Sequence, residues 1–222
     1  PLLENPAFSL AAGDLLALDL PELLAGVGWV FHQAAQAGVR ASWGSSFDVY
    51  ARDNILATQR LLEAAKDSEI ERLVYASSSS VYGDAEAFPT REDALPRPVS
   101  PYGVTKLAAE HLCHLYWRNY GVPAVSLRYF TVYGPRQRPD MAFHIFGRAL
   151  LTGAPIQVYG DGLQTRDVTF VSDAVRANLL AAKGFKVLLT EGKKAEAVRE
   201  RLKGLASSVK VETGGHGKAA FD

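Results

Sequence analysis

The feature that most limits what this chain can become is a strand that runs into a row of serines, Ser77-Ser78-Ser79-Ser80-Val81-Tyr82-Gly83, followed by Tyr102-Gly103-Val104-Thr105-Lys106 at a helix start. Residues Ile70 to Ser77 have the branched and aromatic content of a strand, so the hydroxyls are delivered at a strand end. Tyr102 and Lys106 are four residues apart and share one face of a helix, where the ammonium can sit beside the phenol and favour its ionised form. A phenol that titrates near about 10 in water is no base at neutral pH, and a neighbouring cation brings it towards the working range. A Ser hydroxyl from the strand end can share the same substrate proton. Tyr-x-x-x-Lys alone is a weak motif, so its surroundings must carry the weight.

Those surroundings alternate strand and helix. Ala7-Phe8-Ser9-Leu10 reads as a strand, then Gly13-Asp14, then Leu15 to Leu20 leading into a short helix. Residues 28–35 read as a buried strand whose small end residues allow a flat ligand to approach the backbone. His32, inside that apolar strand, reads as a satisfied core histidine. From Asp48 the pattern turns helical, with Ile55, Leu56, Leu61 and Leu62 on an apolar stripe up to Ala65. Asn54 lies among them and is costly unless satisfied, so its amide is expected to bond a main-chain group of a neighbouring strand. The Tyr102 helix runs to about Asn119, with Pro101 before it and Gly121 after it. Val122 to Phe130 reads as a strand, Asp140 as the cap of a helix to about Leu151, Pro155 to Tyr159 as a strand, and a last helix ends near Ala182. Glu110, His111 and His114 read as an exposed helix face rather than a metal site, because no further ligand is spaced to join them.

Several of these segments, in order, resemble the extended short-chain dehydrogenase/reductase family and, within it, the nucleotide-sugar epimerases. The matching pieces are Val30-Phe31-His32-Gln33-Ala34-Ala35, Asn54, Val74-Tyr75-Ala76-Ser77-Ser78, the Tyr102/Lys106 pair, Leu127-Arg128-Tyr129-Phe130-Thr131-Val132-Tyr133-Gly134-Pro135 and Gln164-Thr165-Arg166-Asp167. The resemblance implies an α/β Rossmann-like, doubly wound, mostly parallel sheet built for NAD and a UDP-sugar. It makes Ser78, Tyr102 and Lys106 catalytic. It puts NAD against Asp14, Leu15, Ala34, Ala35, Gln36, Tyr102 and Lys106, although Asp14 serves equally as a turn residue or helix cap. It puts the UDP-sugar against Ser78, Ser79, Thr131, Arg138, Val158 and Arg166, with uracil near 157–159 and Arg166 facing the diphosphate.

The loop from Thr131 to Ala142 is similar to that of UDP-glucuronate 4-epimerases, in which this Thr and the Arg seven residues later hold the sugar carboxylate. A guanidinium forks onto a carboxylate as no neutral side chain can, and it suits phosphate as well. In related dehydratases an Asp-Glu pair stands where Ser79-Ser80 stands here, and related decarboxylases carry a Glu at the second place. Serines are neither acid nor base at pH 7, which favours epimerisation over those reactions. The implied chemistry is removal of the sugar 4-hydroxyl proton by Tyr102 with hydride transfer from C4 to NAD, rotation of the 4-keto sugar, and return of hydride to its other face.

Composition adds bounds. With 222 residues, 48% of them hydrophobic, the chain can bury a full core. Lys plus Arg equals Asp plus Glu at 24 each, so no net field points to nucleic acid or a membrane surface. The single cysteine, Cys113, reads as a helix packing residue and suits a reducing cytoplasm. Related epimerases pair as dimers through helices that correspond to 49–66 and 103–119. The glycine-rich strand-turn-helix that opens such folds has no counterpart here, so an N-terminally incomplete domain over 1–183 is expected, and a non-catalytic fragment is the rival reading. Residues 184–222 read as a second unit, a strand-helix-strand tail that weakly resembles part of the N-terminal module of the Mur ligase adding D-glutamate.

Overall fold

Three strands rich in branched and aromatic residues carry the architecture: β1 (Trp29–His32), β2 (Arg72–Ser78) and β3 (Ala124–Tyr129). In the computed structural model, which describes residues 3–84, 87, 89–156 and 167–184, they pair in parallel in the order β1-β2-β3. Phe31 lies opposite Val74, and Val74 opposite Val125. Parallel neighbours need long crossovers, and here helices supply them. Between β1 and β2 a continuous helix comprises α2 (Phe47–Tyr50), a π-helical turn (Ala51–Leu56) and α3 (Ala57–Ala65). Between β2 and β3 runs α4 (Pro101–Tyr120).

β2 is central and covered on both faces, as the two-residue strand period requires. Leu73 and Tyr75 point into a core with Leu61, Leu62, Ala65, Ala109, Cys113 and Tyr116. Val74 points the other way, towards Val125, Leu127 and the alanines 181 and 182. Those alanines end α6 (Val171–Ala182). Each fully buried Leu on these faces is worth about 1.5–3 kcal/mol relative to exposure. Helices on both faces of a parallel sheet make the fold α/β and doubly wound, as expected. Beyond β3 lie β4 (Thr131–Tyr133), α5 (Ala142–Thr152) and β5 (Val168–Phe170), with β4 and β5 forming a second parallel pair.

The N-terminus of α4 is built by sequence at close range. Ser100 accepts a hydrogen bond from the Gly103 N–H at 3.1 Å, Pro101 takes the first turn, and Gly121 closes the helix at φ 75°. Gly103 is needed because a Cβ there would lie 2.5 Å from the Ser80 carbonyl oxygen. The first turn of α4 therefore packs directly on the backbone of the serine turn.

Three expected elements differ. Residues 7–10 are not a strand: Leu10 is 65% exposed and the segment turns on a Phe8 N–H to Asn5 carbonyl bond. Strand propensity alone does not hold a segment that finds no ladder partner. Asp140 does not cap α5; the cap position is Met141, without a side-chain bond, while Asp140 pairs with Arg138. In the helix before β2, Leu56 is 52% exposed and its place in the core is taken by Asn54, Ala57 and Thr58, because the π-turn absorbs an extra residue and rotates the buried face. The short helix expected after Leu15 is α1 (Leu20–Leu24), capped by Asp19. Most of the expected 155–159 strand and all of 185–222 lie outside the described residues.

Candidate active site

Open α/β sheets bind ligands beyond the carboxyl ends of their strands. At that end of β2, Ser78 accepts a hydrogen bond from the Ser80 N–H at 3.1 Å, which turns the chain into a short helical turn over Ser79–Val81. The Ser78 hydroxyl also lies close enough to the Tyr102 phenol to act on its titration. One helical turn beyond Tyr102, Lys106 is almost wholly buried and donates to the Ala76 carbonyl at 2.9 Å. Its ammonium lies 5.9 Å from the Tyr102 ring centroid and 5.1 Å from that of Tyr75. The structure thus brings the three predicted catalytic residues together.

Their protonation corrects one expectation. Burial pushes the Tyr102 phenol above its ordinary value, and the Ser78 hydroxyl and the Arg138 charge offset that only in part. Desolvation outweighs nearby charge in these residues alone. Burial likewise brings the Lys106 ammonium down to about 8, so it still carries its charge at neutral pH. Cys113, two turns further along α4, is pushed up to about 12 by burial and is a packing residue.

Around Tyr102 lies a buried polar frame. Asn54, in the π-turn, donates to the Gln36 carbonyl at 3.1 Å and to Thr105 Oγ1 at 2.9 Å, and accepts from the Gln36 N–H at 2.8 Å. Its amide is satisfied on the main chain following β1, as anticipated. Thr58 Oγ1 donates to the Asn54 carbonyl at 2.7 Å and lies 2.8 Å from His32 Nε2. With its one proton committed, Thr58 must accept from His32, which fixes the proton of the neutral imidazole on Nε2. Burial and the Lys106 charge hold His32 down to about 4. Tyr50 stands edge-on to Tyr102 at 6.3 Å and donates to the Gly38 carbonyl at 2.8 Å.

A second cluster lies behind the serine turn. Glu110 receives Arg128 through a forked pair, Nε to Oε1 at 2.9 Å and Nη2 to Oε2 at 2.7 Å, and also accepts from the Ser77 hydroxyl. The Arg128 guanidinium stacks 4.7 Å from the Tyr82 ring centroid. Among the described residues no group of His, Cys, Asp and Glu is arranged to hold a metal ion. Nor is any helix there long and apolar enough to cross a membrane.

Of the residues expected beside a cofactor, Ala34, Ala35 and Gln36 directly follow β1 at the same end of the sheet as Ser78. Leu15 is half-buried against the core. Asp14 forms a turn, accepting from the Leu16 N–H at 3.0 Å, and pairs with Arg52; that backbone bond and then Arg52 hold its carboxyl below the usual range. The residues fit a dinucleotide: the buried Lys106 ammonium has three donors and the protein takes one, leaving two for ribose hydroxyls beside small side chains.

On the substrate side, Ser79 is buried and Thr131 is half-buried at the start of β4. Arg138 pairs with Asp140 at 3.1 Å yet lies close enough for its charge to act on Tyr102. A groove of about 390 Å³ opens beside it, lined by Tyr133, Gly134, Arg136, Gln137, Phe143 and His144. Val158 and Arg166 lie outside the described residues. Ser42, Tyr50, Thr105 and the Glu110–Arg128 pair are participants that sequence reasoning missed. Their partners are distant in the chain, and a hydroxyl next to the motif lysine was the one available signal.

A parallel sheet covered on both faces, with a buried Tyr–Lys pair and a Ser at the carboxyl end of its middle strand, defines a Rossmann-like protein of the dehydrogenase/reductase type. The chain belongs to the NAD dependent epimerase/dehydratase family, which it matches over residues 3–189. It is similar to the uncharacterized UDP-glucose epimerase YtcB of Bacillus subtilis, with 51% identity over 175 residues, 79% of this chain and 55% of the relative. The UDP-glucuronate 4-epimerase of Thermodesulfobacterium geofontis is 42% identical over 168 residues, 74% of this chain and 51% of the relative. Among solved structures, UDP-glucuronic acid 4-epimerase from Bacillus cereus in complex with UDP-glucuronic acid and NAD superposes with a TM-score of 0.81 at 48% identity, covering 86% of this chain and 60% of that one. The chain spans about half the length of the curated relatives it matches.

Proposed function

We propose that the protein is an NAD-dependent UDP-sugar 4-epimerase that favours UDP-glucuronate over UDP-glucose. The observation that carries this is the Ser78–Tyr102–Lys106 arrangement, in which a buried ammonium lies 5.9 Å from the ring centre of a phenol that a serine at the strand end also approaches. NAD would rest against Asp14, Leu15, Ala34, Ala35, Gln36, Tyr102 and Lys106, and when bound it supplies the hydride acceptor and donor for sugar C4. Tyr102 takes the 4-hydroxyl proton and later returns it, Ser78 orients that hydroxyl, and Lys106 keeps positive charge beside the phenolate. The UDP-sugar is assigned to Ser78, Ser79, Thr131, Arg138, Val158 and Arg166. Arg138 supports the uronate preference, because the ion-pair partner of the guanidinium near Tyr102 is the exposed Asp140, a carboxylate it can exchange for the sugar's. Ser79 and Ser80 at the serine turn disfavour the dehydratase and decarboxylase readings, which need an acid and a base there.

A cytoplasmic dimer through 49–66 and 103–119 belongs to the same reading. Its support is apolar exposure on those helices at Val49, Leu56 and Val104. The test is acid release of NAD from the purified protein, followed by turnover of UDP-glucuronate and UDP-glucose by the parent and by Arg138→Leu. Near-stoichiometric NAD, an isomer of unchanged mass, and a uronate-selective loss of about 10-fold or more in the variant are expected, since a charge-assisted pair is removed. No NAD after incubation with excess would turn the reading to a non-catalytic fragment, and equal losses on both sugars would remove the carboxylate role.

A further inference from the structure

Tyr102 is held by its main chain as well as by its ring. Its N–H is one of the amides that the first turn of a helix leaves without an intrahelical partner. Ser100 takes the Gly103 N–H, whereas the Tyr102 N–H donates to Ser42 Oγ at 3.1 Å, across 60 residues of sequence. Ser42 is fully buried and gives its own proton to the Val39 carbonyl at 2.7 Å. On the opposite side of the residue, Thr105 Oγ1 donates to the Tyr102 carbonyl at 2.8 Å and accepts from Asn54 Nδ2 at 2.9 Å. Asn54 in turn holds the N–H and the carbonyl of Gln36. Each hydroxyl is thus used once as donor and once as acceptor, so its orientation is determined.

A helix that needs only a cap already has one in Ser100. The second cap is drawn from the segment that follows β1, and the Thr105–Asn54 link returns to the start of that same segment. We propose that Ser42 and Thr105 are positioning residues that lock the backbone of Tyr102 to the 36–42 segment, so that the base and Gln36, the residue assigned to the cofactor at the start of that segment, move as one body. This rests on the reading of Tyr102 as the base. Its benefit is geometric: proton and hydride must leave neighbouring atoms of one sugar, and a small misplacement of either partner is costly.

The experiment compares Thr105→Val, Thr105→Ser and Ser42→Ala with the parent. Thr105→Val keeps the shape and deletes the hydroxyl. It should lower kcat about 10- to 100-fold while KM for the UDP-sugar moves less than about threefold, and Thr105→Ser should restore kcat to within about threefold. The proposal is overturned if Thr105→Val and Ser42→Ala keep kcat within about twofold of the parent, or if the serine variant performs no better than the valine. Hydrogen exchange supplies a readout that needs no turnover. Ser42→Ala should speed exchange at the Tyr102 amide and leave that of Gly103 unchanged; an unchanged Tyr102 amide overturns the lock. A parent that turns over no sugar, but whose Tyr102 amide loses protection in Ser42→Ala, would sink the epimerase reading and uphold the lock.

Discussion

His32 shows what a single buried side chain costs. Its imidazole is buried in β1, held down to about 4, and bonded to Thr58. An unfolded histidine titrates near about 6.5, so between the two values the unfolded chain binds a proton that the native chain refuses. Stability is therefore fully present above the unfolded value and falls as pH drops from about 6.5 to about 4, by about 2 to 3 kcal/mol from this residue. Urea unfolding at pH 7.5 and at pH 4.5, in the parent and in His32→Leu, checks this. The acid-side loss should be smaller in the variant, and equal losses would mean that His32 does not titrate in the window. The residue type and its apolar surroundings were legible in the sequence; its partner, 26 residues away, was not.

Between elements, the Glu110–Arg128 pair ties α4 to β3 and, through the Ser77 hydroxyl, to the end of β2. Glu110 follows Lys106 by one helical turn, so the same helix presents Tyr102, Lys106 and this anchor in succession. Breaking a largely buried ion pair from one side strands the other charge. Glu110→Gln is thus expected to cost about 3 kcal/mol in denaturant unfolding, whereas the double change Glu110→Leu with Arg128→Met should recover most of that loss. If the double variant is as unstable as the single one, the pair matters for shape rather than for charge. In sequence, Glu110 read as part of an exposed face with His111 and His114, because periodicity assigns a residue to a face without showing what that face meets. The same blindness explains Asp140, whose side chain had a cation two residues away to prefer over a helix cap. The central strand β2 and the helix α4 were legible because period and boundary residues agree with burial, whereas the first strand, read as buried over 28–35, is only Trp29–His32, with Trp29 and Phe31 exposed. Residues 7–10 were not legible, since a strand exists only with a neighbour.

At the scale of the molecule, the helices on one side of the sheet leave apolar side chains uncovered among the described residues. Val104 is 47% exposed on α4, and Leu56 and Val49 are exposed on the preceding helix. Light scattering should give twice the chain mass, and Val104→Glu should return the chain mass with its helical circular dichroism intact. A parent that remains monomeric at high concentration would remove the dimer from the proposal. The Ser78–Tyr102–Lys106 trio was legible through the family resemblance of its surroundings, since the spacing of Tyr102 and Lys106 alone is a weak signal. Of the frame that holds them Asn54 was legible as a buried amide in need of main-chain partners, whereas Ser42 and Thr105 were not, since their links to Tyr102 and Asn54 form only when the crossover helix is folded.

The π-turn at 51–56 places stability and use in opposition. Its Ala57 N–H reaches back to the Arg52 carbonyl, five residues away, instead of the usual four. Deleting one residue there would let the helix recover its regular ladder and gain local stability, yet everything before the deletion would swing by about 100° relative to everything after it. Asn54 could then no longer meet Gln36 and Thr105 while Thr58 still meets His32. The helix is held in a less comfortable form so that both sets of contacts exist together, and selection for thermal robustness alone would tend to erase the turn and with it the frame around Tyr102.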